Sequence, residues 1–132
     1  MPRHAKTGKE GAQVWTPARL KPRALAPRIS AKIAWGEKLM LSLVTLEPNA
    51  VVPEHSHPHE QMGMLVSGTM ELAVGGKVVL LSGNEMYLIP GGVAHSAKAG
   101  PGGAVALDAF SPPREEYKPG VSPERRAVPR KR

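Results

Sequence analysis

Residues 69–92, TMELAVGGKVVLLSGNEMYLIPGG, decide which fold the chain can adopt. Two apolar runs flank Gly75-Gly76, which is a strong hairpin signal because glycine supplies the positive φ angles of a tight turn. A second turn signal, SGN, follows at residues 82–84, and the next apolar run, EMYLI, ends at PGG. Short strands separated by glycine-rich turns predict antiparallel β-structure here.

The same pattern extends in both directions from this stretch. KLMLSLVTL, VVPEHSH and QMGMLVSG predict strands before it, and VAHSAKA and AVALDAF predict strands after it. Asn49, in the turn EPNA, suits a left-handed backbone, which asparagine tolerates better than most residues. About eight or nine short strands without a convincing amphipathic helix predict an all-β sandwich, barrel or jelly roll.

Size and composition limit the class of protein. The 132 residues suit one domain, and the absence of cysteine excludes a disulfide framework, a thiolate metal site and a cysteine nucleophile. No apolar run approaches the ~20 residues of a membrane span. The N-terminus also lacks the apolar segment of a signal peptide. We therefore expect a cytoplasmic protein with no membrane partner.

The net charge of +7 is concentrated at the two ends of the chain. Residues 1–32 carry eight Lys or Arg and one acidic residue, whereas residues 33–113 carry three Lys or Arg and seven acidic residues. The C-terminal RRAVPRKR is broken by proline and lacks aromatic residues for base stacking. We interpret the basic ends as solvated and expect no specific nucleic-acid partner, contact with a polyanion being the alternative.

These patterns divide the chain into three predicted parts. Residues 1–35 form a basic, proline-rich arm, residues 36–112 form a barrel, and residues 113–132 form a basic tail. The strand-rich middle is therefore also the acidic part of the chain.

HSHPHEQ, at residues 55–61, contains three of the five histidines. Because side chains alternate faces along a strand, His55 and His57 point the same way and offer two imidazoles to one ion. Gln61 lies near the start of the next strand, and His95 follows the turn PGGVA. These nitrogen and oxygen donors would suit one divalent ion of Zn, Ni, Fe, Mn or Co, a turn of exposed histidines being the alternative.

HSHPHEQMGMLVSG resembles the first conserved motif of the cupin family, and GNEMYLIPGGVAH resembles the second. Three departures are Gln61 in place of the usual glutamate, one extra residue before Pro90, and Ala99 in place of the final asparagine. The resemblance implies the double-stranded β-helix, or jelly-roll barrel, of the cupins. The residues that match the two motifs are His55, His57, Gln61, Gly68, Pro90, Gly92 and His95.

A closer resemblance is to the small single-domain cupins of pectin and alginate breakdown, the KdgF-type family. It is carried by WGEKLMLSLVTLEPNA, HSHPHEQ and LDAFSPPREEY together. That family converts 4,5-unsaturated monouronates into linear keto forms, so the resemblance implies a metal-dependent enzyme with a small anionic sugar acid as substrate. Small cupins often dimerise, and we expect a homodimer. The implied metal ligands are His55, His57, Gln61 and His95, and the implied catalytic and substrate-binding residues are Asp108, Phe110 and Arg114.

The chemistry of these last residues fits the implied roles. Asp108 and Phe110 share one face of the predicted strand AVALDAF. The Asp108 carboxylate either lies at a strand end, where backbone N–H groups or Arg114 bind it, or lies in the barrel mouth as a proton acceptor. Phe110 is either a core residue or a platform for the sugar. Arg114 either binds the uronate carboxylate through two parallel hydrogen bonds or forms a surface ion pair with Glu115 or Glu116.

Gln61 suggests the kind of ligand that the site prefers. A neutral amide leaves the full charge of a divalent ion, which favours an anionic substrate and argues against the two-histidine, one-carboxylate iron oxygenases. Glu60 should point away from Gln61, His59 is expected outside the site, and His4 lies in the arm. Two alternatives stay open, namely a metal cupin of another reaction (lyase, isomerase or oxygenase) and a non-catalytic cupin that binds sugars or carboxylates.

Overall fold

Eight strands and two short 3₁₀ turns make up the regular structure of residues 11–118, the part of the chain that the computed structural model describes. Within that range no helix is long and apolar enough to cross a membrane. The expectation of an all-β chain is confirmed. The strands are Arg23–Ala26 (β1), Ile29–Trp35 (β2), Met40–Leu46 (β3), Val51–His55 (β4), Glu60–Val74 (β5), Lys77–Ser82 (β6), Met86–Ile89 (β7) and His95–Ser111 (β8), and the 3₁₀ turns are Pro17–Arg19 and Glu115–Tyr117.

The strands form one antiparallel sheet that is folded around β5 and β8. The path runs β1-β2-β3-β8-β5-β6, with β4 paired to β8 and β7 paired to β5. Each of the two central strands therefore has three neighbouring strands, one more than a strand within a flat sheet can have. The sheet curls into the jelly-roll barrel predicted from the sequence.

β5 and β8 each continue through a point where the sequence predicted a break between two shorter strands. They are 15 and 17 residues long. Their pairing shifts register between Leu65 and Ser67 and again between Gly68 and Met70. Gly68 and Gly103 have φ angles of 85° and 82° at this point. The two strands bend at this glycine corner instead of ending, because a bulge increases local twist without interrupting the sheet.

The barrel begins earlier than the boundary predicted at residue 36. β2 pairs with β3 along its whole length, from Ile29 to Trp35, and β1 pairs with β2. Basic residues dominate the composition of the sequence around β2. The strand itself alternates buried and half-buried positions, as expected of a strand in the sheet. Residues 1–10 of the predicted arm and residues 119–132 of the predicted tail lie outside the described residues. The buried side chains of β2 are Ile29, Ala31 and Ile33.

An apolar row crosses the outer face of the sheet. Leu41 on β3, Ala109 on β8, Met62 on β5 and Leu88 on β7 are neighbours in register. Leu41, Met62 and Leu88 are about half exposed. The homodimer expected from the sequence stays a prediction.

Replacement of Gly68 by alanine should destabilise the glycine corner. A Cβ at Gly68 would collide with the carbonyl oxygen of Gly103, and its positive φ is strained for any other residue. We expect Gly68→Ala to lower the free energy of unfolding by about 2 kcal/mol or more, measured by urea denaturation. Gly102→Ala is the matched control, since no described atom lies within 4 Å of a Cβ there. Equal stability of the two variants would contradict the role of the corner.

Candidate active site

Three histidines converge from two strands and the loop that follows one of them. His55 is the last residue of β4, His95 is the first residue of β8, and the two are partners in register. His57 lies just beyond β4 and not within it. Each residue contributes a ring nitrogen, and these nitrogens lie within 4.8 Å of one another. The structure thus brings together the three histidines that the sequence singled out.

Each of the three imidazoles is oriented by a backbone carbonyl. In every case Nδ1 lies within hydrogen-bonding distance of the carbonyl oxygen of a residue two positions away, which makes Nδ1 the donor and leaves the Nε2 lone pair free. Metal-binding histidines commonly use their second nitrogen in this way. The carbonyls that face His55, His57 and His95 belong to Pro53 at 2.9 Å, His59 at 3.2 Å and Val93 at 2.9 Å, respectively.

The free nitrogens of His57 and His95 are buried, and burial favours the neutral form of these two rings. Nε2 of His57 and Nε2 of His95 have no hydrogen-bond partner within the described part of the chain. Burial, together with the positive charge of Arg114 and the neighbouring histidines, lowers the pKa of His57 to about 4. Burial also lowers the pKa of His95. A neutral imidazole with an unused Nε2 is the form that binds a metal ion.

Gln61 adds a buried oxygen atom to the buried nitrogens of the histidines. It is the second residue of β5 and is 8% exposed, whereas Glu60 before it is exposed, as predicted. Its amide nitrogen donates a hydrogen bond to Asp108. Its Oε1 is buried and unpartnered among residues 11–118. A divalent ion fits this donor set, because it would satisfy buried nitrogen and oxygen atoms that otherwise lack a partner.

A cavity of about 390 Å³ adjoins the histidines inside the barrel. His55, His95, Gln61 and Asp108 line it, as do apolar side chains of the core such as Val44. Its size lies within the range of small-molecule sites, and a mostly apolar wall with a few convergent polar groups is their usual make-up.

Asp108 faces this cavity from β8 and is 8% exposed. It accepts a hydrogen bond of 2.6 Å from the hydroxyl of Tyr87, in addition to the one from Gln61. Burial raises the pKa of the Asp108 carboxyl, and the two hydrogen bonds and the charge of Arg114 oppose that rise without cancelling it. A carboxyl whose pKa lies above its usual range can exchange a proton nearer to neutral pH.

Phe110 occupies the next inward position of β8. It is 3% exposed and belongs to the hydrophobic core, yet it also lines the cavity. Its ring meets the His57 ring edge-on, with 5.8 Å between centroids. The two roles considered for Phe110 from the sequence, core packing and a wall for the substrate, are therefore compatible.

Arg114 lies at the cavity, directly after the last strand. Its guanidinium carbon is 3.9 Å from the centre of the Tyr117 ring and 5.2 Å from that of Phe110. Nε and one Nη donate to the same carboxylate oxygen of Glu116, at 3.1 and 3.0 Å. Arg114 is nevertheless only 7% exposed. The pair with Glu116 considered from the sequence is present, and it joins an exposed glutamate to a buried arginine that lines the cavity.

Three contributors to the site have no signal in the sequence. His59 lies outside the three-histidine cluster, as expected, but its backbone carbonyl orients His57. Tyr87 and Tyr117 have no assigned role in a sequence motif, yet Tyr87 donates a hydrogen bond to Asp108 and the ring of Tyr117 contacts the guanidinium of Arg114. A contact made through a backbone carbonyl, or by a residue far away in the chain, follows from tertiary structure and leaves no local pattern. His4 lies outside the described residues.

Comparisons with known proteins extend over both histidine motifs. The profile of the Cupin domain family matches residues 42–110. The pectin degradation protein KdgF of Dickeya dadantii (strain 3937) is 27% identical over 86 residues, which cover 64% of this chain and 78% of that protein. The structure of KdgF from Halomonas sp. has a TM-score of 0.73 at 28% identity and covers 78% of this chain and 96% of that chain. The mannose-1-phosphate guanylyltransferase of Salmonella montevideo is 33% identical over 64 residues, 48% of this chain but only 14% of that protein.

Removal of one histidine of the cluster should abolish tight metal binding. We expect His57→Ala to weaken the binding of Ni²⁺ or Zn²⁺ more than 100-fold, because loss of a ligand exceeds the roughly 10- to 100-fold effect of losing a residue that only hydrogen-bonds to a ligand. His59→Ala is the matched control, since its carbonyl, which orients His57, belongs to the backbone and is retained. Isothermal titration of metal-free protein measures both affinities. Equal affinities of the two variants would exclude His57 as a ligand.

Proposed function

Because the chain belongs to the cupin family and is similar to KdgF proteins, we propose that it is a metal-dependent enzyme that converts 4,5-unsaturated monouronates into their linear keto forms. The observation that carries the proposal is that potential metal ligands, a buried acid and a buried arginine line one small cavity. Such a meeting of ligands, proton carrier and anion-binding group is what a site for this reaction requires. The lining residues in question are His55, His95, Gln61, Asp108 and Arg114.

The donor set would hold one divalent ion without neutralising it. His55, His57, Gln61 and His95 are all neutral donors, and Zn, Ni, Fe, Mn and Co all suit such a set. The bound ion supplies a Lewis acid that stabilises negative charge on oxygen. With no carboxylate among the ligands, the full positive charge is available to an anionic sugar acid.

Arg114 would bind the substrate carboxylate. A guanidinium has five N–H groups, and Glu116 accepts one from Nε and one from an Nη. The remaining donors are sufficient for a uronate carboxylate. The guanidinium lies over the rings of Phe110 and Tyr117. These contacts already restrict the arginine side chain, so little side-chain entropy would be lost when the substrate binds.

Asp108 would carry the proton that opens the ring. Its carboxylate takes the proton of the hydroxyl at the anomeric carbon, a carbonyl forms there, and the bond from that carbon to the ring oxygen breaks. The ring oxygen keeps the electron pair and becomes an enolate. The enolate takes up a proton at the neighbouring alkene carbon and becomes a ketone. The reaction is an isomerisation, in which the proton that Asp108 removes balances the proton that the carbon gains.

The test follows the ultraviolet absorbance of the unsaturated uronate, which disappears because the carbon–carbon double bond conjugated with the carboxylate is lost. We expect metal-loaded protein to accelerate this loss over spontaneous opening. A chelator should remove the acceleration and added metal should restore it. Metal-loaded protein that gives no acceleration would favour a cupin acting on another small acid, or a cupin that binds sugars or carboxylates without catalysis.

Replacement of Asp108 by asparagine tests its role as proton carrier. We expect kcat of Asp108→Asn to fall about 10²- to 10⁴-fold, as is typical when a general acid–base group is removed. In the wild type the rate should decline at acid pH as the carboxylate becomes protonated. Because burial raises the pKa of Asp108, that decline should begin above the pH at which an exposed aspartate titrates.

The comparison is made at equal metal content, since Asp108 also contacts Gln61. The acid limb of the pH profile should be absent in Asp108→Asn, because asparagine does not titrate. Full activity with an unchanged pH profile would remove Asp108 from the mechanism.

A further inference from the structure

Tyr87 reaches Asp108 across an intervening strand. Tyr87 on β7 is the register partner of Gly63 on β5, and Gly63 is the register partner of Asp108 on β8. Neighbouring strands lie 4.7–4.9 Å apart, so the backbones of Tyr87 and Asp108 are separated by about 10 Å. The tyrosine hydroxyl nevertheless lies 2.6 Å from the Asp108 carboxyl. The side chain must therefore pass over Gly63 on the inner face of the barrel.

Gly63 is the residue that leaves this passage open. A Cβ there would lie 2.5 Å from both Cζ and the hydroxyl oxygen of Tyr87 and would also collide with the carboxyl of Asp108. Glycine weakens the interior of a strand by roughly 0.5–1 kcal/mol relative to alanine, and where it occurs it often allows a close approach. Here the close approach is the hydrogen bond between Tyr87 and Asp108.

Asp108 in turn decides which end of the Gln61 amide faces away from it. A carboxylate only accepts hydrogen bonds, so the amide must present its NH₂ group to Asp108 and its carbonyl oxygen elsewhere. The oxygen and nitrogen of an amide are nearly equal in shape, and packing alone does not choose between them. Gln61 donates to Asp108, and its Oε1 is left buried and without a partner in the described range.

We propose that Tyr87 is a positioning residue of the metal site: through Asp108, it holds Gln61 with its carbonyl oxygen available as the fourth ligand. The hydroxyl of Tyr87 fixes the carboxyl of Asp108 on one side, and the carboxyl fixes the amide on the other. Without this hydroxyl the carboxyl can rotate in the cavity, and the amide loses the fixed acceptor that orients it. The inference rests on the proposed metal site but not on the uronate reaction.

Tyr87→Phe removes only the hydroxyl and keeps the ring. Co²⁺ is titrated into metal-free protein, which gives both the Kd and the visible spectrum, a signature of the donor set and its geometry. We expect the Kd of Tyr87→Phe to rise about 10- to 100-fold, the effect typical of losing a hydrogen bond that supports a metal ligand without touching the metal. The visible bands should change in position or intensity. The melting temperature of the metal-free variant is measured alongside.

Gly63→Ala removes the same hydrogen bond by a different route, because the new methyl group blocks the path of Tyr87. Its Kd for Co²⁺ should rise in the same way. Gly36→Ala is the matched control, since a Cβ at Gly36 would meet no described atom within 4 Å, and it should bind as the wild type does. The double variant Gly63→Ala, Tyr87→Phe should lose little beyond either single change, because both remove one interaction.

Three outcomes would overturn the inference. An unchanged Kd and spectrum in Tyr87→Phe would show that Tyr87 does not position the ligand, and this would leave the metal site and the proposed reaction intact. A lowered melting temperature of the metal-free variant with an unchanged Kd would reduce Tyr87 to a structural role. A wild-type protein that binds no Co²⁺ would overturn the proposed metal site together with the inference. If Gly63→Ala fails to fold, Tyr87→Phe still decides between these results.

Discussion

The antiparallel pairing of β5 with β8 is the constraint on which the rest of the structure depends. It sets Gln61 beside Phe110 and Gly63 beside Asp108, and at the far end of the same ladder it sets Val74 beside His95. A shift of either strand by one residue would turn all of its side chains to the opposite face of the sheet. The glycine corner lets both strands serve two parts of the barrel, so a single ladder positions a proposed metal ligand, a buried carboxyl and a wall of the cavity.

Each side chain proposed as a metal ligand uses one of its polar atoms in a hydrogen bond within the barrel and leaves the other available. Each imidazole uses Nδ1 on a backbone carbonyl, and Gln61 uses its amide nitrogen on Asp108. In His57, His95 and Gln61 the remaining atoms are buried and have no partner within the described part of the chain. A buried polar atom without a partner is unfavourable by about 1–3 kcal/mol. A bound ion would therefore contribute stability as well as chemistry, because it satisfies several such atoms at once.

Much of the fold was predictable from local signals. Gly75 and Gly76 have the positive φ angles expected of a tight hairpin, and Asn49 has the left-handed conformation expected of its turn. Repeated short apolar runs between turns were sufficient to predict a closed all-β architecture. The membership of β2 in the barrel was missed because its basic surroundings resemble those of an arm. The continuity of β5 and β8 was missed because a glycine or proline can mark either the end of a strand or a bend within it, and the sequence does not distinguish the two.

Of the site, the sequence by itself determined the types of donor, since H-x-H at residues 55–57, Gln61 and His95 are chemically suited to a metal ion wherever they fold. Only the tertiary structure decided which atoms of those residues are free, because that depends on carbonyls and carboxyls brought in by packing. The contact between Tyr87 and Asp108 was likewise decided by the tertiary structure alone. The two residues are 21 residues apart in the chain and two strands apart in the sheet. No local pattern encodes a contact that exists only because the residue between them, Gly63, has no side chain.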